Sequence, residues 1–171
     1  MHPFYSLGKR SKRIYNSGIH RDLKLIIDGA LEVCPIDFTL TDGKRTAAEQ
    51  RKLWEIGRRF DAMKGYSEKD QRGWDIVGRI VTKADGYVRE SRHQSGKAVD
   101  VCCHIPGRPD LAYDKIHMAV LIGSFLTIAD MLFYEGQITH GLRSGADWDS
   151  DTQYLEPGTF HDMPHLELID P

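Results

Sequence analysis

The sequence predicts an α+β domain in which a small antiparallel sheet is flanked by helices. One segment near the start repeats apolar residues at intervals of three and four, and a longer apolar segment follows later, as expected of core helices. Several short segments alternate apolar and polar residues, as half-buried strands do. The chain has 171 residues, of which 40% are hydrophobic and 28% charged, which suits a single globular domain over residues 1–171.

The first part of the chain predicts a helix, a strand and a second helix. Helical spacing of apolar residues predicts a helix over residues 22–33, and alternation predicts a strand over residues 36–40. Thr46 and Glu49 match a capping box, so a second helix is expected to begin at Thr46.

The rest of the chain predicts an insertion followed by the main part of the sheet. Residues 64–90 are polar and mixed, and they predict an insertion with one short helix marked by Trp74, Val77, Ile80 and Val81. The remaining elements, in chain order, are a strand over residues 97–105, a helix over 112–133, a strand over 136–142 and, after a loop, a last strand over 165–169.

Composition narrows the class of protein. No segment approaches the roughly 20 apolar residues that cross a bilayer, and the polar N-terminus has no signal-peptide core. Three cysteines without framework spacing predict reduced thiols. The formal charge is -2 despite a basic start over residues 9–13, which is either a solvated flank or a contact for an anionic polymer. We expect a monomer with neither membrane insertion nor a nucleic-acid partner.

Alternation along two predicted strands brings chemically active side chains to one face of the sheet. The strand over 97–105 places its valines on one face and Asp100 on the other. In the last strand the leucines face the core, while His165 and Glu167 lie on the opposite side. If the two strands are neighbours, Asp100 and His165 converge.

These residues suit an open zinc site on the sheet face. A catalytic zinc takes three protein ligands and keeps one position for water, which predicts His93, Asp100 and His165 as ligands. Asp162, three residues before His165 and held in a predicted turn that contains Pro164, is placed to accept a proton from the attacking water. The competing set is Cys102, Cys103 and His104, but neighbours on a strand point in opposite directions and no second CxxC motif completes a closed site.

Two motifs resemble those of the LAS metallopeptidases, the family that includes D,D-carboxypeptidases, vancomycin-resistance D,D-dipeptidases and phage L-alanyl-D-glutamate endopeptidases. "SRHQSGKAVD" matches S-x-H-x-x-G-x-A-x-D, and "DMPHLEL" matches the acid-x-x-H-x-E ending. "YSLGKRS", "GIHRDL" and "DGKRTAAEQRKLWEIGR" are similar to the endopeptidase branch. "LRSGADWD" departs from the family's W-G-G-D-W segment at Arg143-Ser144, which bears on the substrate groove.

The resemblance implies a LAS, or hedgehog-like, fold and assigns roles to individual residues. It implies the same three zinc ligands with Asp162 as general base, while Arg45 would hold a substrate carbonyl or carboxylate. Ser91 would belong to the supporting shell, and Glu167 would orient a ligand, although it also stays a candidate base. Trp148 would lie beside the substrate groove.

The implied reaction is hydrolysis of the L-alanyl-D-glutamate bond in the stem peptide of bacterial peptidoglycan. With no signal peptide and no separate wall-binding domain, we expect a phage endolysin that stays in the host cytoplasm until a holin-type partner releases it to the cell wall. The alternatives are a D,D-carboxypeptidase and a non-catalytic wall-binding module stabilised by zinc.

An acidic loop suggests a second cation. Asp147, Asp149 and Asp151 recur at alternate positions, but Thr152 and Gly158 stand where an EF-hand requires glycine and glutamate. The loop is therefore either a solvated acidic segment or a calcium site that orders Trp148.

Overall fold

The computed structural model describes residues 5–60, 74–76, 81–155 and 160–170, and the chain divides into two compact units. Met1–Lys44 with Ser95–Pro171 form the first unit, and Arg45–Gln94 form the second. In its described part, the first unit contains helices α1 (Lys9–Tyr15), α2 (Arg21–Val33) and α4 (Lys115–Tyr134) and strands β1 (Phe38–Asp42), β4 (Ala98–Cys103), β5 (Gly141–Gly145) and β6 (Asp162–Ile169). The described residues of the second unit form helix α3 (Ala47–Glu55) and strands β2 (Arg58–Phe60) and β3 (Trp74–Ile76).

The first unit is built on a four-stranded sheet in the order β1-β4-β6-β5. All three strand pairs are antiparallel, which confirms the predicted α+β class and the small antiparallel sheet. Because β4 and β6 are central neighbours, Asp100 lies directly opposite His165.

The core lies on one face of this sheet. Val99 and Val101 of β4 and Leu166 and Leu168 of β6 are fully buried in the hydrophobic cluster, as alternation along both strands predicts. Helix α4 packs on β4, β5 and β6, and α2 packs against α4. Each large apolar side chain buried in this way contributes about 1.5–3 kcal/mol, so the sheet face opposite the core rests on a rigid support.

Helix α4 corrects one sequence-based expectation. It has 20 residues and contains an 18-residue window with a mean hydropathy of 1.9, so by length and composition it is apolar enough to cross a membrane, contrary to the expectation that no segment approaches that limit. Its buried residues, among them Leu121 and Phe125, belong to the core cluster of the first unit. This packing is that of a core helix.

The last two strands differ from their predicted bounds. β5 begins at Gly141 instead of residue 136 and runs on to Gly145, while β6 begins at Asp162 instead of residue 165. Pro164 is therefore inside a strand and not in a turn. The register between β5 and β6 shifts at that point, pairing Ser144 with Leu166 but Gly145 with Asp162, and a proline without an N–H is tolerated at such an irregularity.

The start of the chain also differs in detail. Helix α2 begins at Arg21, close to the predicted residue 22, but the basic start forms the short helix α1. The α1 residue Ser11 is buried, and its Oγ accepts a hydrogen bond of 3.1 Å from the Leu40 backbone N–H. β1 begins at Phe38, later than predicted, because its pairing with β4 starts there.

The second unit confirms one predicted element and contradicts another. Thr46 caps α3 through the expected capping box with Glu49. Trp74 lies in β3, paired with Phe60 of β2, so the predicted short helix in residues 64–90 is wrong at this position. Residues 77 and 80 of that predicted helix fall outside the described residues.

Candidate functional site

Asp100 and His165 form the centre of the polar face of the first unit's sheet. Their strands are hydrogen-bonded neighbours, and His165 Nδ1 lies 3.2 Å from Asp100 Oδ1. Their side chains are only 19% and 8% exposed, so both are held in one place by their surroundings. The predicted convergence of these two residues is therefore confirmed.

Glu167 and Arg143 extend this pair into a continuous polar network. His165 Nε2 lies 3.0 Å from Glu167 Oε2, and Arg143 Nη2 donates a 2.5 Å hydrogen bond to Glu167 Oε1. Arg143 lies directly opposite Glu167 in the register of β5 and β6. The sequence marked Arg143 only as a departure from a motif, so its role as the partner of Glu167 was missed.

The network shifts the ionisation of both central groups. Burial lowers the pKa of His165, but the hydrogen bonds that the protonated imidazole donates to Asp100 and Glu167, together with the charges of these groups, outweigh it and raise this pKa to about 9. Burial raises the pKa of Glu167, but His165 and Arg143 outweigh it and lower this pKa to about 2. Without a metal, His165 is therefore a cation at neutral pH, and Glu167 beside it is ionised.

The arrangement also suits metal binding by His165 and Asp100. Each ring nitrogen of His165 faces a different carboxylate, Nδ1 towards Asp100 and Nε2 towards Glu167. If Nδ1 and Asp100 bind a cation, the N–H at Nε2 donates to Glu167, which fixes the tautomer as outer carboxylates do in metal sites. In this first unit, the structure thus offers two ligands and one orienting residue.

Aromatic side chains line the space beside His165. The rings of Trp148 and His165 have centroids 5.2 Å apart, and Trp148 also stacks with Phe160 at 6.5 Å. Arg143 Nη1 donates a 2.6 Å hydrogen bond to the Trp148 carbonyl, which ties the loop carrying Trp148 to the polar network. Trp148 thus lies beside His165, while its place at the substrate groove stays a prediction.

Asp162, the predicted general base, is the first residue of β6. It pairs with Gly145, where a Cβ atom would lie only 2.4 Å from the Asp162 carbonyl oxygen. Gly145 therefore permits a close approach that any other residue would prevent. The register shift between Ser144 and Gly145 also breaks the regular alternation of side chains along β6. Counting residues from His165 therefore does not show on which face of the sheet Asp162 lies.

His93, Ser91 and Arg45 belong to the second unit. His93 is 1% exposed, and its backbone carbonyl accepts a 3.2 Å hydrogen bond from the Arg45 backbone N–H. Ser91 Oγ accepts a hydrogen bond of 3.3 Å from the His93 backbone N–H. Ser91 therefore supports the turn carrying His93, and Arg45 lies beside the same turn, just before the N-cap of α3. The roles predicted for these residues stay predictions.

Gln50 organises the side chains around Arg45. It is 1% exposed, its Oε1 accepts a 3.3 Å hydrogen bond from Arg45 Nη1, and its Nε2 donates a 3.0 Å bond to the Ala84 carbonyl. In the sequence analysis this glutamine was only part of the quoted segment "DGKRTAAEQRKLWEIGR", and no role was predicted for it. A buried amide with both ends satisfied fixes the Arg45 side chain at the start of α3.

One carboxylate of the acidic loop accepts hydrogen bonds from backbone N–H groups of the same loop. Asp147, Asp149 and Asp151 each offer an oxygen within 4.8 Å of the others. Asp147 is 8% exposed, and its two carboxylate oxygens accept bonds of 3.2 and 3.1 Å from the Asp151 and Thr152 backbone N–H groups. The calcium hypothesis for this loop stays a prediction.

The cysteine-based metal hypothesis finds no support in the described residues. All three cysteines are free, as predicted, and all three are buried, although burial was predicted only for Cys103. Burial raises the pKa of Cys103 to about 12 and also raises that of Cys102, so both are thiols at neutral pH. Cys103 belongs to the core cluster, where its Sγ contacts Met118 Sδ at 3.8 Å.

Comparison with known proteins identifies a similar fold. No family model matches the chain, and no curated protein matches it. Among solved structures, the Serratia marcescens L-Ala D-Glu endopeptidase ChiX is similar at 21% identity with a TM-score of 0.57. The match covers 94% of this chain and 87% of that one. The fold of this chain is therefore similar to that of an L-Ala D-Glu endopeptidase.

Proposed function

We propose that this chain is a zinc-dependent peptidase that hydrolyses the L-alanyl-D-glutamate bond of peptidoglycan stem peptides. The observation that carries the proposal is the pair Asp100 and His165, held 3.2 Å apart on the polar face of the sheet with Glu167 behind the imidazole. The similar fold of the L-Ala D-Glu endopeptidase ChiX supports the choice of substrate.

The proposed zinc ligands are His93, Asp100 and His165. Two imidazoles and one carboxylate are a donor set that zinc takes in catalytic sites, with a further position left for water or substrate. The two carboxylates around His165 support this assignment, because one lies at each ring nitrogen. His93 is proposed as the third ligand from its place in the "SRHQSGKAVD" motif and from its burial.

The other residues of the proposed site act on the proton and on the substrate. Bound zinc would supply a Lewis acid that polarises the scissile carbonyl and makes water more acidic. Asp162 takes the proton of the attacking water and returns it to the leaving amine. Arg45, fixed by Gln50, donates hydrogen bonds to the substrate carbonyl or to the D-glutamate carboxylate.

The aromatic residues and Glu167 hold these groups in place. Trp148 covers one side of His165 and provides an apolar wall for the peptide. Glu167 accepts the hydrogen bond from His165 Nε2 and so keeps Nδ1 directed at Asp100. Arg143 in turn holds Glu167 ionised.

The decisive test is digestion of purified peptidoglycan by the zinc-loaded protein, with mass spectrometry of the products. Cleavage between L-alanine and D-glutamate releases stem peptides that begin with D-glutamate. Release of single D-alanine alone would identify a D,D-carboxypeptidase instead. Binding to the wall without any product would support the non-catalytic wall-binding module.

The variants separate metal binding from turnover. His93→Ala, Asp100→Ala and His165→Ala should each lose the zinc ion of this site together with product release, because three ligands leave no redundancy. His104→Gln is the matched control, since His104 is exposed, and it should keep both. A His93→Ala protein that retains full zinc would remove His93 from the proposed site.

The biological role proposed with this activity is phage lysis. Expression in the host cytoplasm should leave cells intact, whereas co-expression with a holin-type partner should lyse them. Lysis that also fails with the holin, while purified peptidoglycan is cut, would contradict the endolysin role and leave the peptidase activity standing.

A further inference from the structure

Three metal-binding side chains meet far from Asp100 and His165 in the sequence. His20 precedes α2, Asp22 lies in its first turn, and His140 immediately precedes β5. Each offers one ligand atom, and these atoms all lie within 4.8 Å of one another. All three belong to the first unit.

The carboxylate of this cluster is fixed by buried hydrogen bonds. The Asp22 side chain is only 3% exposed, and its Oδ2 accepts a 2.9 Å bond from the Thr139 backbone N–H. His140 Nδ1 lies 2.9 Å from the same oxygen. The other oxygen, Oδ1, lies 3.8 Å from His20 Nδ1 and 3.7 Å from Arg21 Nη1.

We propose that His20, Asp22 and His140 form a second metal site, which takes a divalent transition metal of the zinc class. Two imidazoles and one carboxylate favour zinc, cobalt or nickel over calcium and magnesium, which prefer oxygen ligands. Arg21 and Lys97 carry positive charges near the cluster and repel any cation that is attracted by charge alone. Coordination by the imidazoles therefore has to select the transition metal.

The tautomers of both histidines fit this assignment. His20 Nδ1 accepts a 3.1 Å hydrogen bond from the Asp22 backbone N–H, so it already presents a lone pair towards the cluster. A metal that binds there displaces this hydrogen bond. When His140 binds through Nδ1, its proton moves to Nε2, and the negative charge of Asp170, whose Oδ1 lies 3.7 Å away, favours the proton there.

The site is open to ions from solvent and has a structural consequence. The side chains of His20 and His140 are 31% and 15% exposed, while Asp22 is buried beneath them. A bound metal links the start of α2 to the residues that lead into β5. It therefore stabilises the folded state by an amount that rises with the logarithm of metal concentration above the Kd, because the unfolded chain does not hold these ligands together.

The test uses the Asp100→Ala protein, in which the proposed catalytic zinc site is disabled. After zinc loading and desalting, we expect about one zinc ion per chain in this protein, and its cobalt form should show visible absorption typical of a His- and Asp-ligated metal. Adding His140→Gln should abolish both signals. Adding the control His104→Gln, at an exposed histidine, should leave both unchanged.

The outcomes distinguish this site from the catalytic one. No metal in Asp100→Ala, or full metal in Asp100→Ala with His140→Gln, would overturn the second site. If one zinc ion remains in the Asp100→Ala protein but the protein with His140→Gln as its single substitution binds none, the result would support the second site and exclude the catalytic zinc.

A measurement without substitution in the cluster covers the case in which His140→Gln fails to fold. Zinc added to the Asp100→Ala protein should shift the ring nitrogen resonances of His20 and His140 in NMR spectra. Unchanged resonances for both rings at saturating zinc would overturn the proposal.

Discussion

Glu167→Gln tests whether Glu167 orients His165 or acts as a base. Glu167 is 6% exposed and touches both His165 Nε2 and Arg143 Nη2. Glutamine keeps the size and one acceptor oxygen but removes the charge. We expect zinc to bind more weakly, because His165 loses the carboxylate that fixes its tautomer and makes Nδ1 a stronger ligand.

The structure sets the size of the effect. The pKa of Glu167 is lowered from 4.5 to about 2, which corresponds to about 3 kcal/mol of favourable interaction with His165 and Arg143 in the metal-free protein. With metal bound, His165 is no longer a cation, so the loss is smaller. Outer partners of metal-bound histidines typically change affinity by about 10- to 100-fold, or about 1.4–2.7 kcal/mol.

The assay is a competitive titration of zinc against a chelator at constant pH. Glu32→Gln is the matched control, because Glu32 is an exposed residue of α2, and it should bind zinc like the unmodified chain. Unchanged zinc affinity in Glu167→Gln, together with turnover lost by 10²-fold or more, would refute the orienting role and make Glu167 the base.

The metal-free protein provides a second readout of the same contact. The folded His165 keeps its proton up to about pH 9, whereas the unfolded chain loses it near the ordinary pKa of 6.5. The folded state binds more protons between these values, so the free energy of unfolding should fall as pH rises from 6.5 to about 9. In Glu167→Gln this fall should be smaller, and an equal fall in both proteins would contradict the assigned hydrogen bond.

Three further predictions follow from other residues. Asp162→Asn should keep its zinc and its fold but lose about 10²- to 10⁴-fold in turnover, measured on purified peptidoglycan, and near-normal release would exclude Asp162 as the base. The Cys103 thiol, whose pKa burial raises to about 12, should resist iodoacetamide in the native protein at pH 8 but react in urea, as seen by intact mass, and rapid native labelling would contradict its core position. If the acidic loop binds calcium, titrating calcium into the zinc-loaded chain should change Trp fluorescence and turnover, and this change should be absent in Asp149→Asn. No change up to millimolar calcium would leave a solvated acidic loop.

The elements predicted correctly are those that local signals specify. The apolar spacing of α2 and the capping box at Thr46 depend on residues within a few positions of each other, so no tertiary information is needed. The shared face of Asp100 and His165 follows from alternation once β4 and β6 are neighbours. The sequence suggested that β4 and β6 are adjacent in the sheet but did not require it.

The features that were missed depend on strand register. Arg143 and Glu167 meet because β5 extends to Gly145, whereas the predicted strand ended at residue 142. Pro164 suggested a turn because a proline interrupts a regular ladder, and its strand position is possible only at the register shift beside Ser144. Neither fact is encoded in a spacing within one segment.

Short elements were the other source of error. Trp74 contributed to a helical spacing together with residues 77–81, but it pairs with Phe60 in a strand of only three residues. A segment this short carries too few positions to distinguish the two periodicities. The helix α1 was missed for the same reason, since its seven residues are mostly basic and polar.

The pairing of Gly145 with Asp162 has a consequence for how this protein can diverge. It holds together the two ends of the segment that spans residues 146–161. The entropic cost of closing a loop grows only slowly with its length, by about 0.6 kcal/mol for each doubling. Replacement or lengthening of this segment would therefore leave Asp100 and His165 in register. Chimaeras that exchange this segment with that of a chain of similar fold would therefore test what the segment contributes while the sheet beneath it stays unchanged.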